Sequence, residues 1–420
     1  MLAGYSRRAL HARGIEAIMI VREIDFRRGL ARPGLRFGVL AAVAGALATT
    51  AMAQDAAPAA KPALQAETAF TNKMPPISPH WGFLRGGFGS GGTSIFNGDT
   101  GKMVGMINTS RWSDMAIDPT NKFYYVSESI WSKGNRGVRQ DMVSVYDPTT
   151  LALVPETTIP GRLLIGSRKN NFVISDDGKT GYIYNFSPAS TVNVVDFEKR
   201  KLSQVVELPG CASLMPTSVG FSALCGDGTI ATVAVTGRSA SITHTTPFFS
   251  ATNDPIFDNF IYDRGKAQAT FLTYTGMVYQ ADISANPTVG QPWSLQAAAG
   301  LRAGETKPLD VNWLPGGRQP MALNRTTGLL YVLMHTGEYW SQKQDGTEIW
   351  VVNLAAKKVI KRVPIKKPAG NIEVSQDDKP LIFLSGDDNQ AWIVDGTTYV
   401  QKYELERAGG STIAVLDPAR

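Results

Sequence analysis

The stretch Phe172–Lys201, FVISDDGKTGYIYNFSPASTVNVVDFEKRK, decides the fold. Three short β-rich runs, FVIS, TGYIYNF and TVNVVD, are punctuated by Asp176-Asp177-Gly178, by Ser187-Pro188-Ala189-Ser190 and by Asp196. Asp, Ser and Gly reverse the chain cheaply, because short polar side chains bond nearby backbone amides and Gly accepts left-handed dihedrals. Strands joined by such turns are antiparallel hairpins laid side by side.

The same strand-then-turn unit recurs along the chain, usually with Asp or Asn at its exit. It reads SIFNGDTGKMVGMI around Asn97, VSVYDPTTLALVPETTI around Asp147, VNVVDFEKRKLSQVVEL around Asp196 and IATVAVTG around Ala234. It returns as VYQADISANP around Asp282, IWVVNLAAKKVIKRVPI around Asn353 and AWIVDGTTYVQKYEL around Asp395. The seven units are spaced by 50, 49, 38, 48, 71 and 42 residues, the long gap absorbing an insertion at 290–320 or 337–347. Between them lie MAIDPTNKFYYVSES, MALNRTTGLLYVLMH and IEVSQDDKPLIFLSG, each with a turn between two β runs, and no helical period of any length follows residue 54. Four-stranded units at this period predict an all-β, seven-bladed β-propeller. The terminal STIAVLDPAR (411–420) resembles the opening strand of a further unit, whereas the unit at Asn97 lacks its opening partner. Pairing the N- and C-terminal strands would close the ring and remove an exposed edge.

Composition agrees with one large folded unit. The 420 residues are 43% hydrophobic and 19% charged, with only 2 Cys and 4 His, which excludes a disordered chain and a disulfide-built miniprotein. The net charge of +6 raises the question of a phosphate-bearing partner. Residues 1–53 hold eight Arg, no Lys and three acids, so the remaining 34 basic and 33 acidic residues leave the rest of the chain at +1. The basic stretch precedes FGVLAAVAGALATTAMAQ, a short apolar run ending in Ala51-Met52-Ala53, the layout of a cleaved secretory signal. The run Phe37–Ala48 falls short of the roughly 20 residues that a membrane anchor requires. The expected organisation is a signal peptide over 1–53, a flexible Ala/Pro-rich leader over 54–79 and the propeller over 80–420, with neither a nucleic-acid partner nor a membrane anchor. Export makes the pair Cys211 and Cys225 an expected disulfide; metal ligation is the alternative, and no His or second Cys pair lies nearby.

Motifs of catalysis are weak. Gly87-Phe88-Gly89-Ser90-Gly91-Gly92 matches G-x-G-x-x-G, but the β run TSIF follows where a dinucleotide site requires a helix N-terminus. His80, His244 and His335 stand singly, and no G-x-S-x-G is present. The acid pairs Asp176-Asp177, Asp377-Asp378 and Asp387-Asp388 sit in turns. Trp131, Trp293, Trp313, Trp340, Trp350 and Trp392 are dispersed through different units, as expected mostly of packing between blades. The cluster His80-Trp81-Gly82-Phe83 with Phe88, beside the glycine loop, is placed at a rim or interface, with structural packing as the favoured role of its rings and a binding role as the alternative.

Longer runs carry a resemblance. MVSVYDPTTLALVPETTIPG (142–161), CASLMPTSVGFSALCGDGTIATV (211–233), NDPIFDNFIY, FLTYTGMVYQADIS, NWLPGGRQPMALNRTTGLLYVLMH and NIEVSQDDKPLIFLSG, in this order, resemble the heavy subunit of quinoprotein amine dehydrogenases, the methylamine and aromatic amine enzymes. The likeness covers nearly all of 77–420. It implies a periplasmic seven-bladed propeller in a complex of two heavy and two light chains, oxidising a primary amine to aldehyde and ammonia. It further implies that the light chain carries tryptophan tryptophylquinone, that this chain holds no cofactor or catalytic residue, and that a blue copper protein accepts the electrons. A heavy-chain aromatic lining the substrate channel maps onto Trp81 after His80, with Phe83 or Phe88 as alternatives. Two positions depart from the family pattern: Asn324-Arg325 and Gln342-Lys343 stand where His-Arg and His-Lys are usual. LMH and EIWVVN look like the aromatic branch, and VSQDDKPLIFLSG like the methylamine branch. An exported scaffold propeller and a stand-alone propeller hydrolase are the alternatives from other classes.

Overall fold

Each repeated unit turns out to be the third strand of a sheet together with its exit turn, and the Asp or Asn at its end holds that turn shut. Asp147 Oδ1 accepts the backbone N–H groups of Thr149 (2.8 Å) and Thr150 (3.0 Å), and Asp395 Oδ1 those of Thr397 (3.0 Å) and Thr398 (2.8 Å). Asn97, Asp196, Asp282 and Asn353 act alike on Asp99, Lys199, Ser284 and Ala356. The unit at Ala234 lacks the acid and turns on Gly237 at φ +63° instead.

The computed structural model describes residues 73–86, 91–134, 136–163, 168–303, 311–386, 389–406, 408 and 410–418. The expected signal peptide, most of the leader, Phe88 and Asp387-Asp388 lie outside these residues. The described strands form seven antiparallel sheets, the blades of a β-propeller. The first strands of neighbouring sheets pack on one another around a central axis, and each sheet runs outward from there. The final sheet along the ring is shared between the ends of the chain. Thr412–Val415 pairs antiparallel with Trp81–Arg85, which pairs with Thr93–Asn97, which pairs with Lys102–Ile107. The expected ring closure is therefore present, with Gly82 opposite Val415 and Leu84 opposite Ile413.

Burial explains why inner and outer strands read differently in sequence. Leu381–Ser385 (LIFLS) is a second strand covered on both faces by adjacent blades, so its first four residues are all apolar. Gln401–Leu405 (QKYEL) is the fourth strand of the same sheet and alternates between exposed and covered positions. The core consists of layers between sheets; one joins Met215 and Ile230 to Phe271, Leu295, Met334 and Trp350. The 71-residue gap contains the four-residue helix Leu295–Ala298, N-capped by Ser294 (3.2 Å to the Ala297 N–H). Connections from first to second and from third to fourth strand lie on one face of the ring, here the turn face. Those from second to third strand and from blade to blade lie on the other, the crossover face.

Candidate functional site

The first strands of all seven blades enclose an axial cavity of about 160 Å³. Its walls mix polar and apolar surface about equally, the apolar part coming from side chains that include Met115, Ile117, Phe172, Leu214, Phe260 and Leu323. Charged groups gather at both ends.

At the crossover end the segment Arg168-Lys169-Asn170-Asn171 precedes the strand Phe172–Ile174 and reaches several blades. Lys169 Nζ crosses the axis to ion-pair with Glu373, whose Oε2 also accepts from Gln319 Nε2 at 3.0 Å. Arg168 pairs with Asp258 at 2.9 Å, the Lys169 N–H donates to Asn259 Oδ1 at 3.0 Å, and Asn171 Nδ2 lies 3.4 Å from Asp114 Oδ2. Asp114 in turn pairs with Arg85 at 2.7 Å. Burial pushes the Asp114 carboxyl up to about 7 against the pull of Arg85, and burial likewise raises Glu373 and Asp258 despite Lys169 and Arg168. Three carboxyls of raised proton affinity thus surround this mouth.

At the turn end Arg325 ion-pairs with Asp417, just beyond the closing strand, and donates to Pro418 O at 3.1 Å. Arg264 sits 4.0 Å from Asp417 and 2.6 Å from Asp176. These contacts fasten the closing segment to two further blades. Charges are matched at both ends, each cation facing a carboxylate.

The residues singled out from sequence are not brought together here. Trp81 and Phe83 lie in the strand Trp81–Arg85 and are 0% and 1% exposed, packed with Ile95, Tyr124 and Val126. Phe83 meets Tyr124 edge to face at 5.1 Å, and the Trp81 indole N–H is buried without a hydrogen-bond partner. His80, on the turn face, ion-pairs with Asp99 of its own sheet (2.7 Å) and with Asp377 of the adjacent blade (3.1 Å). Burial opposes its protonation, but the two carboxylates outweigh that and raise its pKa above 6.5. Cys211 and Cys225 form the expected disulfide, lying opposite each other on adjacent strands. Trp350 packs against Phe271 and Leu295 of the neighbouring blade, as expected, while its contact with Trp313 lies within one sheet; Trp340 is half exposed with its backbone at φ +69°. Asn324 donates to Ser375 O (2.7 Å) and Asp377 O (2.8 Å) and accepts from the Thr327 N–H (2.7 Å), a turn-holding task for which the amide's geometry suffices. Gln342 contributes its backbone carbonyl, which accepts from the Gly317 N–H at 3.0 Å. The axial hub escaped sequence reading; its one local signal is the run of four polar residues, RKNN, directly before an apolar strand. Among the described residues no group of three or more His, Cys, Asp or Glu is arranged to hold a metal, and no helix is long and apolar enough to cross a membrane.

A family model described as methylamine dehydrogenase heavy chain matches residues 90–416. The chain is 26% identical over 320 residues to the methylamine dehydrogenase heavy chain of Paracoccus versutus, covering 75% of this chain and 73% of that one. It is also 26% identical over 326 residues to the heavy chain from Methylorubrum extorquens, covering 77% and 78%. Among solved structures, a dihydro-heme d1 dehydrogenase aligns with TM-score 0.52 at 13% identity, over 82% of this chain and 77% of that one, a likeness of fold alone.

Proposed function

Because this chain belongs to the methylamine dehydrogenase heavy chain family, we propose that it is the propeller subunit of an exported, quinone-dependent amine dehydrogenase. The observation that carries the reading is the family match across 90–416, which spans all seven blades. In this reading two such chains assemble with two small light chains in the periplasm, after removal of residues 1–53. Tryptophan tryptophylquinone belongs to the light chain and supplies the two-electron oxidation of a primary amine, with water, to aldehyde and ammonia; a blue copper protein takes up the electrons. The part of this chain is docking and substrate selection. The channel-lining ring is expected at Trp81, Phe83 or Phe88, and the enclosure of Trp81 and Phe83 in the blade favours Phe88. A ring narrowing a channel selects amines by shape, worth about 1–3 kcal/mol per methylene.

Purification of the complex from periplasm, followed by its visible absorbance and by dye reduction with methylamine and with phenylethylamine, tests the reading. A chromophore and amine-dependent reduction are expected; a colourless chain without a light-chain partner refutes it. In the active complex, Phe88→Ala should change the ratio of the two rates, and an unchanged ratio removes the channel role from this residue.

A further inference from the structure

Aromatic rings that meet at an angle form corners of π surface, and their negative faces attract a cation placed over them. Three such corners contain a tryptophan among the described residues. Trp313 and Trp350 meet at 5.8 Å and 43°, and the Arg362 guanidinium sits over both rings, at 4.3 and 4.9 Å. Trp112 and Trp131 meet at 6.3 Å and 63°, with Arg111 lying 5.3 Å over Trp112. The third corner holds no cation. Trp340 stands 5.7 Å from Tyr274 at 82° and 4.8 Å from Tyr339 at 50°, and no Lys or Arg among the described residues lies over any of these three rings.

This corner is on the crossover face, between two blades. Tyr274 comes from the turn between Gln268–Leu272 and Met277–Asp282, whereas Tyr339 and Trp340 come from the loop between Leu329–Gly337 and Gly346–Asn353. The Tyr339 hydroxyl donates to Asn253 O, and the loop is held further by the Gly317 N–H on Gln342 O (3.0 Å) and the Gln344 N–H on Ser341 O (2.9 Å). Trp340, fixed in this way, keeps 51% of its surface exposed at φ +69°, a conformation unfavourable for a bulky residue and one that collects at binding sites. The surroundings are acidic. Besides burial, Asp254 raises the proton affinity of the Tyr339 phenol and Asp258 that of Tyr274, where Arg168, the partner of Asp258, opposes it. With Glu338 and Asp345 on the loop, four carboxylates stand against Arg168 and Lys343, a net negative balance.

We propose that this corner binds a quaternary ammonium ion. Ring faces in a negative field attract a cation, and the carboxylates that border Tyr339 and Tyr274 are already engaged. Asp254 accepts from the Thr275 N–H (3.0 Å) and hydroxyl (2.7 Å), and Asp258 from Arg168 (2.9 Å). A cation with N–H groups would leave water there without gaining partners, whereas one wrapped in methyl groups gives up little hydration and spreads its charge over the rings. A quaternary nitrogen has neither a lone pair nor a proton to lose in amine oxidation, so the inference stands independently of the amine dehydrogenase reading.

Choline titrated into the full chain, its N-methyl protons followed by saturation-transfer NMR, tests the site against the uncharged isostere 3,3-dimethylbutan-1-ol. Choline is expected to bind with a Kd of about 1–10 mM, and the isostere at least about tenfold more weakly. Trp340→Gly suits φ +69° and removes only the ring; it should keep the wild-type unfolding midpoint and weaken choline binding at least about tenfold. Trp340→Phe, which keeps a ring, should bind within about fivefold of the wild type. The proposal is overturned by an absence of choline binding up to about 50 mM, by an isostere that binds equally well, by Trp340→Gly binding as the wild type does, or by Trp340→Phe binding as weakly as Trp340→Gly.

Discussion

Removal of residues 411–420 should open the ring, and the size of the effect follows from what the closing strand touches. Ile413 and Val415 are 1% and 6% exposed, packed with Leu84, Phe96, Phe383 and Ile393, and burying two such side chains stabilises by about 3–6 kcal/mol. The Gln319 amide bonds both backbone groups of Ile413, Nε2 to its carbonyl and Oε1 from its N–H, each at 3.0 Å. Gln319 is 1% exposed; its Nε2 keeps Ile372 O and Glu373, but leaving its Oε1 unpaired costs about 1–3 kcal/mol more. A loss of about 4–9 kcal/mol is comparable to the whole net stability of a typical domain, about 5–15 kcal/mol. The truncated chain is therefore expected to be unfolded or open. Ile413→Ala is the graded version, with an expected loss of about 2–5 kcal/mol. Guanidinium denaturation followed by tryptophan fluorescence measures it, with Ile360→Ala on an exposed outer strand as the control at under about 0.5 kcal/mol. A truncated chain with the wild-type midpoint, or an Ile413→Ala loss no larger than that of Ile360→Ala, would refute the reasoning.

Other expectations concern the charged contacts and the disulfide. Lys169→Met leaves the buried Glu373 without its cation and should cost about 2–3 kcal/mol, discounted because Lys169 is a third exposed; adding Glu373→Gln should restore much of it, as a double-mutant cycle by denaturation would read. The raised pKa of His80 means that its clasp on Asp99 and Asp377 is fully present below the unfolded value near 6.5 and is lost as pH rises through the folded pKa. Asp377, whose carboxyl is held low by the hydrogen bond from Ser375 and by His80 against the cost of burial, loses its own contribution only as pH falls below about 3.8. The stability difference between wild type and His80→Gln should therefore shrink between pH 6 and pH 9, and a constant difference would contradict the ion pairing. Replacing Cys211 and Cys225 by Ser together should cost about 3 kcal/mol in thermal or chemical unfolding, from the freed loop in the denatured chain.

Much of the architecture was legible because its causes are local. An Asp or Asn that bonds amides two or three residues ahead needs only its own turn, and so Asn97, Asp147, Asp196, Asp282, Asn353 and Asp395 mark their blades in any sequence reading. The same holds for the disulfide, since the hairpin places Cys211 opposite Cys225. The place of the N-terminal aromatics was not legible. His80-Trp81-Gly82-Phe83 beside a glycine loop reads as rings that pack at a rim; the packing is present, but in the interior, where Gly82 is a point of close approach and an added Cβ would lie 2.5 Å from the Phe383 ring. Trp81 and Phe83 are interior because the end of the chain, more than 300 residues later, returns as their neighbouring strand.

Sequence by itself determined the all-β class, the sevenfold repeat, the turn chemistry, the paired cysteines and the family, since each is written in short-range patterns or in runs of identity. Tertiary structure alone decided the axial hub, where Lys169 and Glu373 meet from 204 positions apart, and the clasp of His80 on Asp377. Contacts of that kind depend on bending the sheets into a closed ring, and no local pattern encodes which distant side chains the curvature brings across the axis.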